Sequence, residues 1–196
     1  METNSTSEIL RTLKEKEIAL FTLTDFSRLF NLKNDNTLYK KIQRLEKKKI
    51  VERLTKGKYL FLFSEANDFL IANFLYQPSY LSLESALSFY GIITGFPYQI
   101  TSITTKKTRN ITAHQREFSY ARIKKDLFWG YEKKDDFLIA EKEKALLDYL
   151  YFSLRGYRNL DWEEIEKKQI DKAKLLSYAR RFKDKRILKV VKKEFL

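Results

Sequence analysis

The chain has 196 residues, with 39 lysines and arginines against 26 aspartates and glutamates, one histidine and no cysteine. The lack of cysteine excludes disulfides, thiolate nucleophiles and cysteine zinc sites. The presence of a single histidine argues against metal binding or catalysis by imidazole groups. The formal net charge of +13 predicts an anionic partner.

The composition is that of a folded chain. A hydrophobic content of 43% is enough for a core, and five glycines with two prolines indicate mostly regular structure with short connections. The opening sequence METNSTSEIL does not resemble a signal peptide, and no run of 18 apolar residues occurs. These patterns predict a soluble cytoplasmic protein.

Residues 1–63 are predicted to form a first domain of three helices and a hairpin. The first helix is expected to be capped by Ser7, the second to start at about residues 22–24, and the third to cover 37–48. Two β-prone runs within 50–63 then predict the hairpin. This order is that of a winged helix-turn-helix DNA-binding domain.

The third helix carries the strongest functional signal. Leu38, Ile42 and Leu45 fall on one stripe, and the opposite side is basic and polar. Such a helix fits the major groove of DNA. The base-reading candidates are Thr37, Lys40, Gln43 and Arg44. The phosphate-contact candidates are Tyr39, Lys41, Lys47, Arg53, Lys56 and Lys58.

Charge clusters where this helix and the hairpin meet in sequence. Nine lysines and arginines against two glutamates lie in the 19 residues 40–58, a net charge of +7. The coincidence of charge and motif favours DNA binding over the alternative, a solvated basic face on an ordinary small domain.

Residues 64–196 predict a second, larger domain in which helices accompany a mixed or antiparallel sheet. The predicted helices cover 67–76, 82–90, 140–152, a segment capped by Asp161, and two terminal amphipathic segments that end near the C-terminus. The predicted strands cover 98–105, 117–123, 128–131 and 137–139. The whole chain is therefore predicted to be an α+β protein.

Three segments of the second domain, together with the winged helix, resemble AbiEi-type antitoxins of bacterial abortive-infection (type IV) toxin–antitoxin systems. They are SYLSLESALSFYGI at 79–92, ITSITTKKTR at 100–109 and EKEKALLD at 141–148. The hairpin IVERLTKGKY at 50–59 is also similar to the wing of that family.

The resemblance implies a transcriptional autorepressor that binds inverted repeats in its own promoter and counters a cognate AbiEii-type nucleotidyltransferase toxin. It assigns DNA binding to the first domain, and antitoxin activity with cooperative assembly on DNA to the second. A monomer in solution is compatible with this assembly, and direct contact with the toxin stays open. The alternative is a winged-helix regulator with a ligand-sensing C-terminal domain and no toxin partner.

Residues 101–125 predict a second basic surface, with seven basic side chains against one glutamate. It could bind more DNA backbone or an acidic or RNA-bound partner, or be a solvated strand edge that charge protects from aggregation. Its members are Lys106, Lys107, Arg109, Arg116, Arg122, Lys124 and Lys125.

Other classes of function are not favoured. The twelve basic residues within 167–193 form an amphipathic pattern, but charge interrupts its apolar stripes, so we expect packed helices and no membrane partner. The sequence contains neither a glycine-rich phosphate loop nor a nucleophile elbow, and its acidic residues do not match the usual spacing of a nuclease site. His114 is expected to be an exposed loop residue. We therefore expect no catalysis, no metal and no cofactor.

Overall fold

Two compact units make up the chain in the computed structural model, which describes residues 5–95 and 97–195. The first comprises the described part of Met1–Leu75 together with Ala113–Gln115, and the second comprises Tyr76–Thr112 and the described part of Arg116–Leu196. Helices and sheets are both present, so the predicted α+β class is confirmed. The division falls after residue 75, whereas the sequence pattern predicts a boundary after residue 63.

The first unit contains four helices and a small antiparallel sheet. Its elements are α1 (Thr6–Glu15), β1 (Leu20–Thr22), α2 (Leu23–Leu29), α3 (Asp35–Lys47), β2 (Val51–Thr55), β3 (Lys58–Phe61) and α4 (Asp68–Leu75). The strand order is β1-β3-β2, with both pairs antiparallel. The predicted hairpin is thus present, and β1 adds a third strand that is too short to show alternation in the sequence.

Side-chain caps decide where the first three helices begin. Ser5, not the predicted Ser7, caps α1, because Glu8 reaches back to the Ser5 backbone N–H while the Ser5 hydroxyl accepts from the Glu8 N–H. Thr22 caps α2 in the same way. Asn34 caps α3, so this helix begins two residues before the predicted start at residue 37.

An apolar core holds these helices against the sheet. Leu38, Ile42 and Leu45 are buried, as the periodicity predicts. Phe26 is fully buried, with its ring centroid 5.4 Å from that of Phe21 on β1. Burial of the α3 stripe fixes which side of that helix faces solvent.

The second unit is built on a six-stranded mixed sheet in the order β6-β7-β5-β4-β9-β8. Its strands are β4 (Ser79–Leu81), β5 (Ile100–Thr104), β6 (Arg109–Ala113), β7 (Arg116–Arg122), β8 (Tyr131–Lys134) and β9 (Phe137–Ala140). Its helices are α5 (Leu83–Phe89), α6 (Lys142–Ser153), α7 (Lys172–Arg181) and α8 (Lys185–Phe195), with 3₁₀ turns at Lys125–Leu127 and Lys167–Gln169. The pairs β5/β7 and β4/β9 are parallel.

Some expectations for this unit are wrong. The strand expected at 128–131 begins only at Tyr131, after a 3₁₀ turn, and β4 and β6 were not predicted. No helix follows Asp161 within 161–166. The Asp161 carboxylate instead accepts from the Glu163 N–H at 2.9 Å, which closes a local turn in place of a helix.

A buried ion pair joins α6 to the strand β4. Lys144 and Asp148, one turn apart on α6, are both 0% exposed and in direct contact. The carboxylate also accepts from the Tyr80 hydroxyl at 3.0 Å and from the Ser82 hydroxyl at 2.9 Å, while the ammonium donates to the Tyr80 hydroxyl at 2.9 Å. Burial raises the pKa of the Asp148 carboxyl and lowers the pKa of the Lys144 ammonium, and the partner charge opposes each shift.

Aromatic rings surround the buried ammonium. The Lys144 Nζ lies 5.1 Å from the ring centroid of Phe182, 5.2 Å from that of Trp129 and 5.4 Å from that of Tyr80. Gly130 packs on the lysine stem with φ +72°, and a Cβ there would lie 3.0 Å from the Lys144 Cγ. This position therefore requires glycine for both its backbone conformation and its close approach.

Replacing Asp148 with leucine is expected to lower the free energy of unfolding by about 3–5 kcal/mol, because the Lys144 ammonium would stay buried without its counter-charge. Urea denaturation followed by circular dichroism measures the change. The double variant Lys144→Met/Asp148→Leu is the control and should regain much of the loss, since it removes both charges. A single variant as stable as the wild type would contradict this role for the pair.

Candidate nucleic-acid interface

The solvent-facing side of α3 brings the predicted base-reading residues together. Thr37, Lys40, Gln43 and Arg44 are all exposed. At about 100° per residue, Lys40 and Gln43 lie opposite the buried stripe. The side chains that could reach a groove thus project from a helix whose other side is anchored in the core.

The structure adds Asn36 to this face. Because Asn34 caps the helix, α3 already includes Asn36, which is exposed and lies on the same side as Lys40 and Gln43. The sequence prediction missed it by starting the helix at Thr37. An Asn followed by an acidic residue is a typical helix start and could have revealed it. Asn36 occupies the N-terminal part of α3, where recognition helices make their base contacts.

The predicted phosphate-contact residues on α3 differ in exposure. Tyr39 is 50% exposed and Lys47 is exposed. Lys41 is half-buried at the flank, and desolvation lowers the pKa of its ammonium, while the charge of Glu8 opposes that shift. Lys47 and Tyr39 are therefore better placed than Lys41 to meet a large anionic partner.

The β2–β3 hairpin is short and tied to the rest of its unit. Arg53 and Lys56 are exposed, and Lys56 lies in the tight turn with Gly57, whose φ is +76°. The Gly57 carbonyl accepts from the Leu23 N–H at 3.0 Å, at the start of α2. The hairpin therefore presents Arg53 and Lys56 from an anchored position.

Lys58 has a different setting from the one predicted for it. Its ammonium donates to the backbone carbonyls of Phe74 and Leu75, the latter at 3.1 Å, at the C-terminus of α4. A cation there satisfies carbonyls that lack helical partners and interacts favourably with the helix dipole. Local sequence patterns do not reveal this contact, because its partners lie 16 and 17 residues away.

The acidic residues near this face lie outside it. Asp35 and Glu46 on α3 fall on a flank beside the buried stripe, and Glu46, three residues after Gln43, is its neighbour on the helix surface. Glu52 on β2 contacts His114, with 2.7 Å between its Oε2 and the histidine Nδ1. His114 is thus partly covered rather than a freely exposed loop residue. The side of α3 opposite the buried stripe therefore carries amide and cationic groups, with the exposed carboxylate of Asp35 on its flank.

The residues of the predicted second basic surface lie at two different ends of the six-stranded sheet. All seven of its side chains are exposed. Most follow the end of β5 or flank the end of β7, where the Ile123 N–H donates to the Thr104 carbonyl at 2.9 Å. Arg116 begins β7 and lies at the opposite end of that strand. Six of the seven residues therefore share one end of the sheet.

Two cations lie over one aromatic ring at that end. The ring centroid of Tyr76 is 5.5 Å from the Lys106 Nζ and 5.6 Å from the Arg109 guanidinium carbon. The Tyr76 hydroxyl donates to the Lys107 carbonyl at 3.2 Å. Tyr76 therefore holds these cations over its ring and keeps them on the same side of the unit.

Within 5–95 and 97–195, no group of three or more acidic, histidine or cysteine side chains is arranged to hold a metal ion. Across the same residues, every helix is too short or too polar to cross a bilayer. No protein-family model and no curated protein matches the chain.

Replacing Lys58 with methionine is expected to destabilise the protein by about 1 kcal/mol, because the last carbonyls of α4 lose a charged donor. Lys56→Met, two residues away in the exposed turn, is the matched control and should stay within about 0.5 kcal/mol of the wild type. Thermal and urea unfolding of both variants measure the difference. Equal stabilities for the two variants would show that the Lys58 contact contributes nothing to folding.

Proposed function

We propose that the first unit is a winged helix-turn-helix that binds duplex DNA, with α3 as its recognition helix. The observation that carries the proposal is the exposed amide and cationic face of α3 opposite a fully buried stripe. The order of helices and hairpin supports it, as does the short connection of residues 30–34 between α2 and α3. The β2–β3 hairpin acts as the wing.

Each exposed side chain has a role suited to its chemistry. The Gln43 amide can pair bidentately with adenine, and the Arg44 guanidinium can pair with the O6 and N7 atoms of guanine. Asn36 offers a second amide near the start of the helix. Lys47 on α3, with Arg53 and Lys56 on the wing, neutralises phosphates, and Lys40 can donate to the O6 and N7 atoms of guanine. Lys58 contributes to the fold of the unit instead.

We further propose that the chain is an AbiEi-type antitoxin and autorepressor. The segments that carry the resemblance correspond to β4 with α5, to β5 with the start of β6, and to the first half of α6. They supply the buried network of the second unit, in which Thr101 donates to the Ser82 carbonyl at 2.8 Å and the Ser82 hydroxyl donates to Asp148. The resemblance to AbiEi-type antitoxins therefore rests on residues that build the buried framework of the second unit.

The proposed mechanism is binding without turnover. Occupancy of inverted repeats in the promoter excludes RNA polymerase and represses the operon, and the second unit supplies the activity against a nucleotidyltransferase toxin. A stand-alone regulator with a ligand-sensing second unit would need no toxin gene beside its own. Whether the neighbouring open reading frame encodes a nucleotidyltransferase toxin therefore distinguishes the two hypotheses.

Gln43→Ala and Arg44→Ala are each expected to weaken binding to promoter DNA by about 1–3 kcal/mol and to relax base preference, because each removes a bidentate pairing. Fluorescence anisotropy with promoter and scrambled duplexes measures both effects. Arg11→Ala, at an exposed position of α1, is the control and should bind as the wild type does. Wild-type affinity and specificity in both α3 variants would remove α3 as the recognition helix.

The full chain is expected to restore growth to cells that express the nucleotidyltransferase encoded beside it, whereas the chain truncated after Leu75 is expected not to. The reason is that the antitoxin activity is assigned to the second unit. Colony counts after induction of both genes measure rescue, and circular dichroism with DNA binding checks that the truncated chain is folded. Full rescue by the truncated chain, or none by the full chain, would contradict the proposal.

A further inference from the structure

A cavity of about 500 Å³ lies in the first unit, between the end of α1, the strand β1 and the helix α2. Six of the eight described residues that line it are apolar. These six, with the three buried residues first, are Leu13, Phe21, Phe26, Ile18, Leu20 and Leu29. A cavity of this size, with a mostly apolar lining and a few polar groups, is typical of a site for a small molecule.

Contacts within the unit hold this lining in place. The Ile18 N–H donates to the Leu13 carbonyl at 2.9 Å, which is the longer of the two hydrogen-bonded loops of a Schellman motif at the end of α1. Leu20 and Phe21 lie on β1, which is paired with β3. Phe26 belongs to the apolar core of the unit. The cavity is therefore built into the fold, and little free energy would be needed to order its walls around a ligand.

The two charged residues of the lining, Asp25 and Arg28, differ in their contacts. The Asp25 carboxylate accepts from the Thr22 hydroxyl at 2.7 Å and from the Thr22 N–H at 2.9 Å. These hydrogen bonds lower the pKa of the Asp25 carboxyl, and the charge of Arg28 adds to that effect. Arg28 is exposed, and its guanidinium makes no hydrogen bond or ion pair with any residue that the structure describes. Its N–H donors are therefore available to a ligand.

The groups that line the cavity select the chemistry of its ligand. The leucine, isoleucine and phenylalanine side chains favour an apolar chain or ring, because its surface leaves water on binding. The planar Arg28 guanidinium suits a carboxylate, which can accept two parallel N–H bonds. A cationic ligand would instead compete with Thr22 for the Asp25 carboxylate. The combination therefore fits a molecule with an apolar body and one carboxylate.

We propose that this cavity is a binding site for a small amphipathic carboxylate, whose apolar body lies among the apolar side chains while its carboxylate pairs with Arg28. The site goes beyond the proposed function, since it gives the first unit a small-molecule ligand. The described residues that line the cavity all precede α3 in the chain. Ligand binding there is consequently separate from the face proposed to read DNA.

Titration of the full chain with octanoate, followed by the NMR shifts of its backbone amides, tests the proposal. The largest shifts are expected within residues 13–29. Affinity should rise about fourfold for each methylene added between hexanoate and octanoate, because each methylene leaves water. An equal affinity for the two acids would show that the apolar lining does not bind the chain of the ligand and would overturn the proposal.

Octanamide is the neutral counterpart of octanoate and tests the role of Arg28. The wild type should bind octanoate about three- to fivefold more tightly than octanamide, as expected for an ion pair that solvent screens. The variant Arg28→Gln should bind the two molecules equally. Arg11→Gln removes an exposed arginine of α1 that does not line the cavity, so it is the matched control and should keep the preference.

Three results would overturn the proposal. The first is a wild-type preference for octanoate in Arg28→Gln, with circular dichroism confirming that the variant is folded. The second is a set of shifts spread over exposed cations of both units, which would indicate general ion pairing with a chain of net charge +13. The third is self-association, measured by sedimentation, with shifts on dilution confined to 13–29, which would assign the cavity to a second copy of the chain.

Discussion

The ion pair between Lys144 and Asp148 is the interaction on which the second unit depends. Taking both charges out of water is costly, and the geometry offsets that cost through the hydroxyls of Tyr80 and Ser82 and the rings around the ammonium. These residues belong to β4, to the residue before α5 and to α6, so separating the elements would leave a charge unpaired. Thr101 extends the network to β5. Sheet and helices are thereby held in one arrangement.

No charged side chain is buried among the described residues of the first unit. Its core is apolar, and its polar groups act at the helix ends, as with Ser5, Thr22 and Asn34. The stripe of α3 is held in this core along the whole helix, so the direction of its exposed face is set by packing. Because the proposed base-reading side chains stand on a rigid element, less entropy would be lost on binding the proposed DNA partner.

The positive charge exposed to solvent depends on which acidic residues are bound to partners within the fold. Asp25 and Asp171 bond at helix starts, and Glu141 and Glu143 both bind Lys174. Carboxylates that satisfy partners within the fold offer little compensation to exposed cations elsewhere. Exposed cations lie on α3 with its hairpin, at one end of the six-stranded sheet and along α8. The proposed DNA partner suits this distribution, since phosphates are read by charge and bases by the few amide and guanidinium groups on α3.

Local patterns in the sequence determined the elements whose reason is local. The buried stripe of α3, the hairpin turn at Gly57 and the apolar stripes of α7 and α8 all follow from periodicity and turn chemistry. Tertiary structure alone decided that Lys58 serves α4 and that Lys144 and Asp148 are buried. The Lys58 and Tyr80 contacts span 16 and 68 residues, respectively, and charged residues read by periodicity are expected at the surface. Only the folded chain brings such partners close enough to offset the loss of water.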